Sequence, residues 1–306
     1  MSRNKGIVIL GPTASGKTQL AVGLARSIDG EIISADSRQV YRGMDIGTGK
    51  DLEEYSVPGH HVPYHLIDIR DAGDTYHINQ YYQDYEAAAT SIIERDKRII
   101  LCGGSGLYLQ TAVAGNAMAS IPKNEHLRSG INNLENQELL EMFNELPEKI
   151  RLAHDSSTRK RTIRAIEIGE WLKSNPTPER KYLGIDYAVY GIDIERELRR
   201  KRISSRLKHR LENGLVDEVE HLLKEGVTAE SLRWYGLEYK WIVDYLENKM
   251  SLTAMSSGLE TAIHQFAKRQ MTFFRSLEKK GWSIHWLDGS KSLEKLVEEI
   301  KNSELD

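Results

Sequence analysis

The chain has 306 residues, of which 40% are hydrophobic and 28% charged, a composition typical of a globular protein rather than of a disordered, collagenous or coiled-coil chain. This length fits about two domains or one elaborated α/β domain. The single cysteine, Cys102, excludes an internal disulfide and a cysteine-based zinc cage. The net charge of −3, from 42 basic and 45 acidic residues, argues mildly against a nucleic-acid partner.

The apolar runs are short. Those at 6–10 and 99–102 cannot span a bilayer. The basic N-terminus leads directly into the first run and then into glycines, rather than into a signal-peptide cleavage site. We therefore expect a cytoplasmic protein with no membrane partner.

Strands and helices alternate in the first hundred residues, as in a parallel sheet with crossover helices. The strands are predicted at 6–10, 31–36, 98–102, 187–193 and 283–287. The helices are predicted at 17–26, 81–94, 195–211, 216–224, 237–246 and 252–280. The polar, helix-rich stretch between the third and fourth strands ends in a breaker cluster at 174–178, which indicates a helical insertion.

Residues 11–18, GPTASGKT, match the pattern GxxxxGK[ST] at every specified position and lie between a predicted strand and a predicted helix. Glycines let the backbone wrap around phosphate oxygens, and the loop amides and the helix N-terminus direct positive dipoles inward. Lys17 adds a formal charge, and Thr18 offers a hydroxyl ligand to Mg²⁺. The predicted di- or triphosphate site comprises Gly11, Pro12, Thr13, Ala14, Ser15, Gly16, Lys17 and Thr18.

These patterns together predict an α/β fold. Its P-loop NTPase-like core, with helices on both faces of a parallel sheet, is assigned to 1–116 and 187–306, and the last part of this core is helical. A helical insertion domain is assigned to 117–186.

A carboxylate follows the second predicted strand. A kinase or ATPase normally carries an acidic residue at the end of an apolar strand to position Mg²⁺. The third strand ends instead in Gly103 and Gly104, whereas the second ends in Asp36, at the sheet edge beside the phosphate loop. Asp36 is a candidate metal ligand or general base, and a helix-capping or turn role is the alternative.

Ordered sequence blocks run along nearly the whole chain: GPTASGKT at 11–18, ISADSRQVYRGMDIGTGK at 33–50, HLIDI at 65–69, GGSGLYL at 103–109, RKRTIRAIE at 159–167, the basic helix with Arg202 and Arg206, LRWYGL at 232–237 and AKRQMTFFR at 267–275. In content and order they resemble the tRNA dimethylallyltransferases, also called isopentenyl-tRNA transferases, of the IPP transferase family. Ser105 replaces the family's common threonine and keeps its hydroxyl.

The resemblance implies transfer of a dimethylallyl group from dimethylallyl diphosphate to the exocyclic N6 amine of the adenosine next to the anticodon, tRNA position 37. It implies Mg²⁺ as cofactor and the tRNA anticodon stem-loop as partner, and we expect a monomer. It assigns Asp36 as the base, and Thr13 and Arg206 to the diphosphate. The residues that it implies face the tRNA are Asp36, Ser37, Arg38, Gln39, Ser105, Arg128, Lys160, Arg161, Thr162, Ile163, Arg164, Arg233, Trp234, Tyr235, Gly236, Leu237, Glu238, Lys268, Arg269, Gln270, Met271, Thr272, Phe273, Phe274 and Arg275.

The chemistry of such a transfer fits these residues. It needs a stabilised leaving group, a nucleophile that loses a proton, and exclusion of water. The phosphate loop, Arg206 and Mg²⁺ suit the first requirement, and Asp36 suits the second. The target adenosine would have to be flipped out of its stack. Basic blocks at 159–164 and 196–210 are consistent with a polyanion surface, and the aromatic residues among the tRNA-facing set either stack on bases or lie in the core.

Three alternatives remain open. A P-loop kinase or NTPase would bind ATP through Lys17 and Thr18 and Mg²⁺ through Asp36. An adenylate isopentenyltransferase would act on free AMP or ATP, although a free nucleotide needs neither the basic surface nor the insertion. A non-catalytic tRNA-binding module would have no use for an intact phosphate loop.

Overall fold

The protein is built around a parallel sheet, seen in a computed structural model that describes residues 5–57, 60–115, 117–179 and 183–305. Residues 1–4, which belong to the basic N-terminus, lie outside the described residues. The described strands are β1 (Lys5–Leu10), β2 (Gly30–Ser34), β3 (Ser56–Val57), β4 (His60–His61), β5 (Tyr64–His65), β6 (Arg98–Gly103), β7 (Asp186–Asp193) and β8 (Ile284–Asp288).

Helices follow or connect these strands. They are α1 (Lys17–Ile28), α2 (Ile78–Glu94), α3 (Gly106–Ala114), α4 (Glu125–Ile131), α5 (Asn136–Asn144), α6 (Glu148–Ala153), α7 (Arg159–Ser174), α8 (Arg196–Glu212), α9 (Leu215–Lys224), α10 (Ala229–Tyr235), α11 (Leu237–Leu246), α12 (Leu252–Glu278) and α13 (Leu293–Leu305). Short 3₁₀ turns lie at Leu52–Tyr55 and Ala117–Ser120.

The main sheet has six parallel strands in the order β5-β2-β6-β1-β7-β8. Alternate residues of β1 face opposite sides, since side chains alternate along a strand. Ile7 and Ile9 join the apolar cluster that contains residues of α1 and α13, whereas Val8 and Leu10 join the cluster that contains residues of α2, α3 and α12. Helices therefore cover both faces, and the predicted α/β class is confirmed.

The edge strand β5 was not predicted. It pairs with β2 in parallel, with Tyr64 opposite Ile32 and His65 opposite Ile33. Two residues are too few to show a strand periodicity, and Pro63 lies immediately before them. The five predicted strands are all present, with ends that differ by one or two residues.

The chain divides into two compact units, 1–114 with 183–306, and 115–182. The smaller unit is helical and has its own apolar core, which includes Leu139, Phe143, Ile150 and Ile166. Among the described residues, no helix is both long and apolar enough to cross a membrane.

Candidate active site

The phosphate loop joins β1 to α1 in the larger unit. Gly16 lies directly before α1 in the left-handed region, with φ of 84°, which glycine adopts without steric cost. Lys17 opens the helix, and its Nζ donates to the carbonyl oxygen of Pro12 at 2.9 Å. The Ser15 hydroxyl is buried and bonds to no described residue. A buried polar group without a partner is costly, so this hydroxyl marks the loop as a place for a polar ligand.

Gln270, on α12, clamps the phosphate loop from outside it. Its side-chain oxygen accepts from the backbone N–H of Thr13 at 2.8 Å, and its side-chain nitrogen donates to the carbonyl of Gly104 at 2.9 Å. Both groups of the buried amide are thus satisfied, and they tie the loop to the end of β6. The sequence block 267–275 suggested RNA contact for Gln270, whereas these bonds are internal to the protein.

Asp36 follows β2 and lines the same cavity as the phosphate loop, which has a volume of about 960 Å³. Asp36 follows β2 and the phosphate loop follows β1, and β6 lies between these two strands. The carboxylate is therefore not on the strand next to the loop, as the sequence had suggested. The intervening strand ends in Gly103, where a Cβ would lie 2.2 Å from the carbonyl oxygen of Ala35. This glycine lets the two strand ends approach closely.

One oxygen of Asp36 is engaged locally. Oδ1 accepts from the backbone N–H of Arg38 at 2.9 Å, which is the turn role foreseen as an alternative. No other donor among the described residues is bonded to this carboxylate. Oδ2 is therefore available to a ligand in the cavity.

Cationic side chains crowd the phosphate end of the cavity. The Arg206 guanidinium donates to the hydroxyl of Thr13. Burial lowers the pKa of Arg206 to about 10, and the neighbouring charge of Arg210 adds to this shift. Burial also lowers the pKa of Lys17. Positive charges held out of water in this way favour an anionic ligand.

The residues around Arg38 form the other end of the cavity. The Arg38 guanidinium lies over the Trp234 ring, 5.1 Å from its centroid, and Trp234 is 48% exposed. Tyr235 is buried, and its hydroxyl accepts from the N–H of Gly73 and donates to the carbonyl of Asp74, both at 2.7 Å. The two neighbouring aromatic residues thus have different surroundings: one faces outward and one holds a loop.

Hydrogen bonds connect the remaining residues near Asp36. The Ser37 N–H donates to the Ser105 hydroxyl at 3.0 Å, and the Gln39 side chain bridges Ser34 and the carbonyl of Gly49. Arg233 lines the cavity but also pairs with Asp244 and Glu247. Gly236, Leu237 and Glu238 line it at the start of α11, and burial raises the pKa of Glu238.

The block 268–275 of α12 divides between surface and core. Lys268, Arg269, Thr272 and Arg275 are exposed, whereas Gln270, Met271 and Phe274 are buried. Phe273 is half-buried against Gly106, where a Cβ would lie 2.1 Å from the ring. Only one face of this helix is therefore open to a large partner, as helical periodicity requires.

In the 115–182 unit, two of the predicted tRNA-facing residues pair with Glu167, whose side chain is 1% exposed. Arg128 bonds to it at 2.8 Å, and Arg164 at 2.5 Å. Arg161 pairs with Asp155, and Lys160 is exposed. Thr162 is buried, and Ile163 packs against the apolar core of the unit. This cluster belongs to the helical unit, and its contact with tRNA stays a prediction.

Two side chains that anchor the loop at 45–51, the buried Lys50 and the partly buried Glu218, were not predicted from the sequence. Lys50 is fully buried and donates to the carbonyl of Tyr41 at 2.7 Å, to Asp45 at 2.5 Å and to Asp68. The Glu218 carboxylate accepts from the N–H groups of residues 45, 46 and 47 and from the Tyr239 hydroxyl. No local pattern marks Glu218, because the three backbone N–H groups that it accepts from lie more than 170 positions away in the chain.

Comparison with known proteins places these features in a family. The IPP transferase family model matches residues 39–277. The chain is 47% identical to tRNA dimethylallyltransferase 2 of Bacteroides fragilis over 96% of both chains, and 49% identical to tRNA dimethylallyltransferase 2 of Phocaeicola vulgatus over 97% of this chain and 96% of the relative. The crystal structure of the full-length tRNA isopentenylpyrophosphate transferase from Bacillus halodurans superimposes with a TM-score of 0.71, at 32% identity, over 98% of this chain and 95% of that one. The chain belongs to the IPP transferase family.

Proposed function

We propose that this chain is a tRNA dimethylallyltransferase. It transfers the dimethylallyl group of dimethylallyl diphosphate to the exocyclic N6 amine of the adenosine adjacent to the anticodon, tRNA position 37, and releases diphosphate. One observation carries the proposal: the phosphate loop, Arg206 and the free oxygen of Asp36 line a single cavity. A cationic pocket for the leaving group and a carboxylate for the nucleophile are what this alkylation requires.

Leaving-group stabilisation falls to the phosphate loop. As the bond between the allylic carbon and oxygen breaks, its electron pair passes to the diphosphate. The loop amides, Lys17, Thr13 and Arg206 would share the charge that develops there. By analogy with lost oxyanion-hole donors, removing one such group raises the barrier by about 2.7–4 kcal/mol.

Asp36 is the proposed base. The N6 nitrogen forms the new bond to the allylic carbon, and the proton that it loses passes to Oδ2 of Asp36. The adenine must be extruded from its stack to enter the cavity. Aromatic and aliphatic side chains, including the buried Tyr108 and the exposed Leu107 and Phe266, line the same cavity and would limit the access of water to the allylic carbon.

The oxygen donors beside the loop fit Mg²⁺. Thr18, Asp51 and Glu54 line the cavity, although no group of three potential metal-ligating His, Cys, Asp or Glu side chains exists among the described residues. Mg²⁺ commonly uses one or two protein oxygens together with substrate phosphates and water, so this sparse set is sufficient. We assign Thr18 as the protein ligand. When bound, the ion would neutralise charge on the diphosphate.

The opposite end of the cavity is proposed to receive the anticodon stem-loop. Arg38 and Trp234 offer a cation and an exposed indole on which an unpaired base can stack. Exposed Lys268, Arg269 and Arg275 would contact phosphates, and the helical unit would add Arg128 and the residues at 160–164. We place this reaction in the cytoplasm and assign it to a monomer.

Incubation with dimethylallyl diphosphate, Mg²⁺ and unmodified tRNA tests the proposal. Mass spectrometry of the digested tRNA should reveal N6-dimethylallyladenosine, and sequencing of the RNA fragments should place it at position 37. Parallel reactions with AMP as acceptor, and with ATP alone, separate the alternatives. Modification of AMP without tRNA would indicate an adenylate isopentenyltransferase, and ATP consumption without prenylation would indicate a kinase or NTPase.

A further inference from the structure

Arg210, one turn beyond Arg206 on α8, is a buried cation without an adequate partner. Its side chain is 10% exposed, and its guanidinium makes one side-chain hydrogen bond among the described residues, to Asp51 at 3.5 Å. A guanidinium carries five N–H donors, so most of them have no acceptor among the described residues. Because Arg210 lines the cavity, these donors are open to it, and an anionic ligand bound there would supply the missing acceptors.

Arg210 points into the same cavity as the diphosphate-binding residues. Positions four apart on a helix share a face, and Arg202, Arg206 and Arg210 all line this cavity. The charge of Arg210 is also close enough to Arg206 to lower its pKa. Two like charges held together out of water repel each other, and a polyanion bound between them would relieve that repulsion.

Gly49 provides the space for this guanidinium. A Cβ at position 49 would lie 2.1 Å from Nη2 of Arg210, and Gly49 has a positive φ of 63°. The loop that contains Gly49 is fixed on either side by the bonds of Lys50 and by those that Glu218 makes to residues 45–47. The position of Arg210 is thus set by a rigid neighbour.

We propose that Arg210 is a second guanidinium ligand of the substrate's diphosphate, acting beside Arg206. This inference rests on the proposed function, since it names a further residue for the leaving group of that reaction. A diphosphate carries several negative charges and many acceptor oxygens. It can therefore accept from two guanidinium groups at once, in the bidentate manner that arginine favours.

Titration calorimetry tests the inference by measuring how tightly the chain binds inorganic diphosphate in the presence of Mg²⁺. Arg210→Met should weaken this binding by about 10- to 100-fold, the range expected for loss of a charge-assisted hydrogen bond. Affinity for tRNA should change less than about two-fold. Lys208→Met is the matched control: it removes a charge from the same helix, at a side chain that is 78% exposed, and should leave diphosphate binding unchanged.

Arg210→Lys covers the case in which the methionine variant does not fold, and should give an intermediate loss because lysine keeps the charge without the planar fork. Diphosphate affinity equal to that of the unaltered chain, with a lower melting temperature, would make Arg210 a structural partner of Asp51 and overturn the inference. Loss of tRNA affinity alone, or no diphosphate binding by the unaltered chain, would overturn it as well. Prenylation by the unaltered chain is measured separately, so a failure of the proposed function is recognised independently.

Discussion

At the scale of single residues, Asp36 combines two roles in one carboxylate. Oδ1 fixes the turn after β2 by accepting from the Arg38 N–H, and Oδ2 has no donor among the described residues at this edge of the cavity. A side chain anchored at one oxygen loses less conformational freedom when it meets its substrate. The turn role and the catalytic role are therefore compatible, and the first supports the second.

Asp36→Asn separates these two roles. Asparagine keeps the acceptor for the turn but cannot take a proton at neutral pH, so we expect the single-turnover transfer rate to fall by about 100-fold or more. Binding of tRNA, measured by filter retention, should stay within about two-fold. Asp96→Asn, the same change at an exposed aspartate after α2, is the control and should transfer nearly normally. A transfer rate of Asp36→Asn close to that of the unaltered chain would exclude Asp36 as the base.

At the scale of secondary-structure elements, α12 holds the phosphate loop in place. Gln270→Ala removes both bonds of the clamp and leaves the Thr13 N–H and the Gly104 carbonyl without partners. Each buried group that loses its partner costs about 1–3 kcal/mol. We expect reduced stability in urea and a weaker affinity for dimethylallyl diphosphate. Thr272→Ala, an exposed position on the same helix, serves as control, and unchanged diphosphate affinity in Gln270→Ala would refute the clamp.

Helices α4 and α7 are joined through Glu167. Burial alone would raise the pKa of this carboxyl, but bonds from Arg128, the Asn124 N–H and Arg164 lower it to about 2. Because the folded-state pKa lies below the ordinary value of 4.5, the stabilisation is present above about pH 4.5 and is lost as the pH falls toward 2.

Glu167→Gln should therefore destabilise the 115–182 unit at pH 7. We expect about 2 kcal/mol, less than the loss of a fully buried ion-pair partner, because Arg128 and Arg164 are 32% and 27% exposed. Amide hydrogen exchange within this unit reports the change. The difference in stability between the variant and the unaltered chain should shrink below about pH 4.5. If this difference does not depend on pH, the charge of Glu167 is not its cause.

Sequence patterns predict elements better than they predict contacts between them. The strands and helices around the phosphate loop follow from local periodicity and the loop motif. The clamp of Gln270, the anchor of Glu218 and the buried Arg210 do not, because each depends on partners brought near by the fold. The motif block at 267–275 contains both core and surface residues, since the buried positions of α12 recur every three to four residues.

At the scale of the whole molecule, the net charge of −3 hides an uneven surface. α12 carries exposed Lys268 and Arg275 on one side of the main sheet, and α13 carries exposed Lys295 and Lys301 on the other. Acidic residues elsewhere offset these charges in the sum. A local basic surface can thus bind a polyanion although the chain as a whole is slightly acidic.

The salt dependence of tRNA binding reports which of these cations contact phosphate. With about six contacts, the affinity should fall by roughly 10³ between 50 and 200 mM salt. Each contacting cation that is removed should reduce the slope of log affinity against log salt by about one. The double variant Lys268→Gln, Arg275→Gln should therefore reduce this slope by about two. The double variant Lys295→Gln, Lys301→Gln removes the same charge from α13 and should leave the slope unchanged. Equal slopes for the two double variants would mean that α12 does not face the RNA backbone, and the tRNA-binding surface would then have to be sought on other elements of the chain.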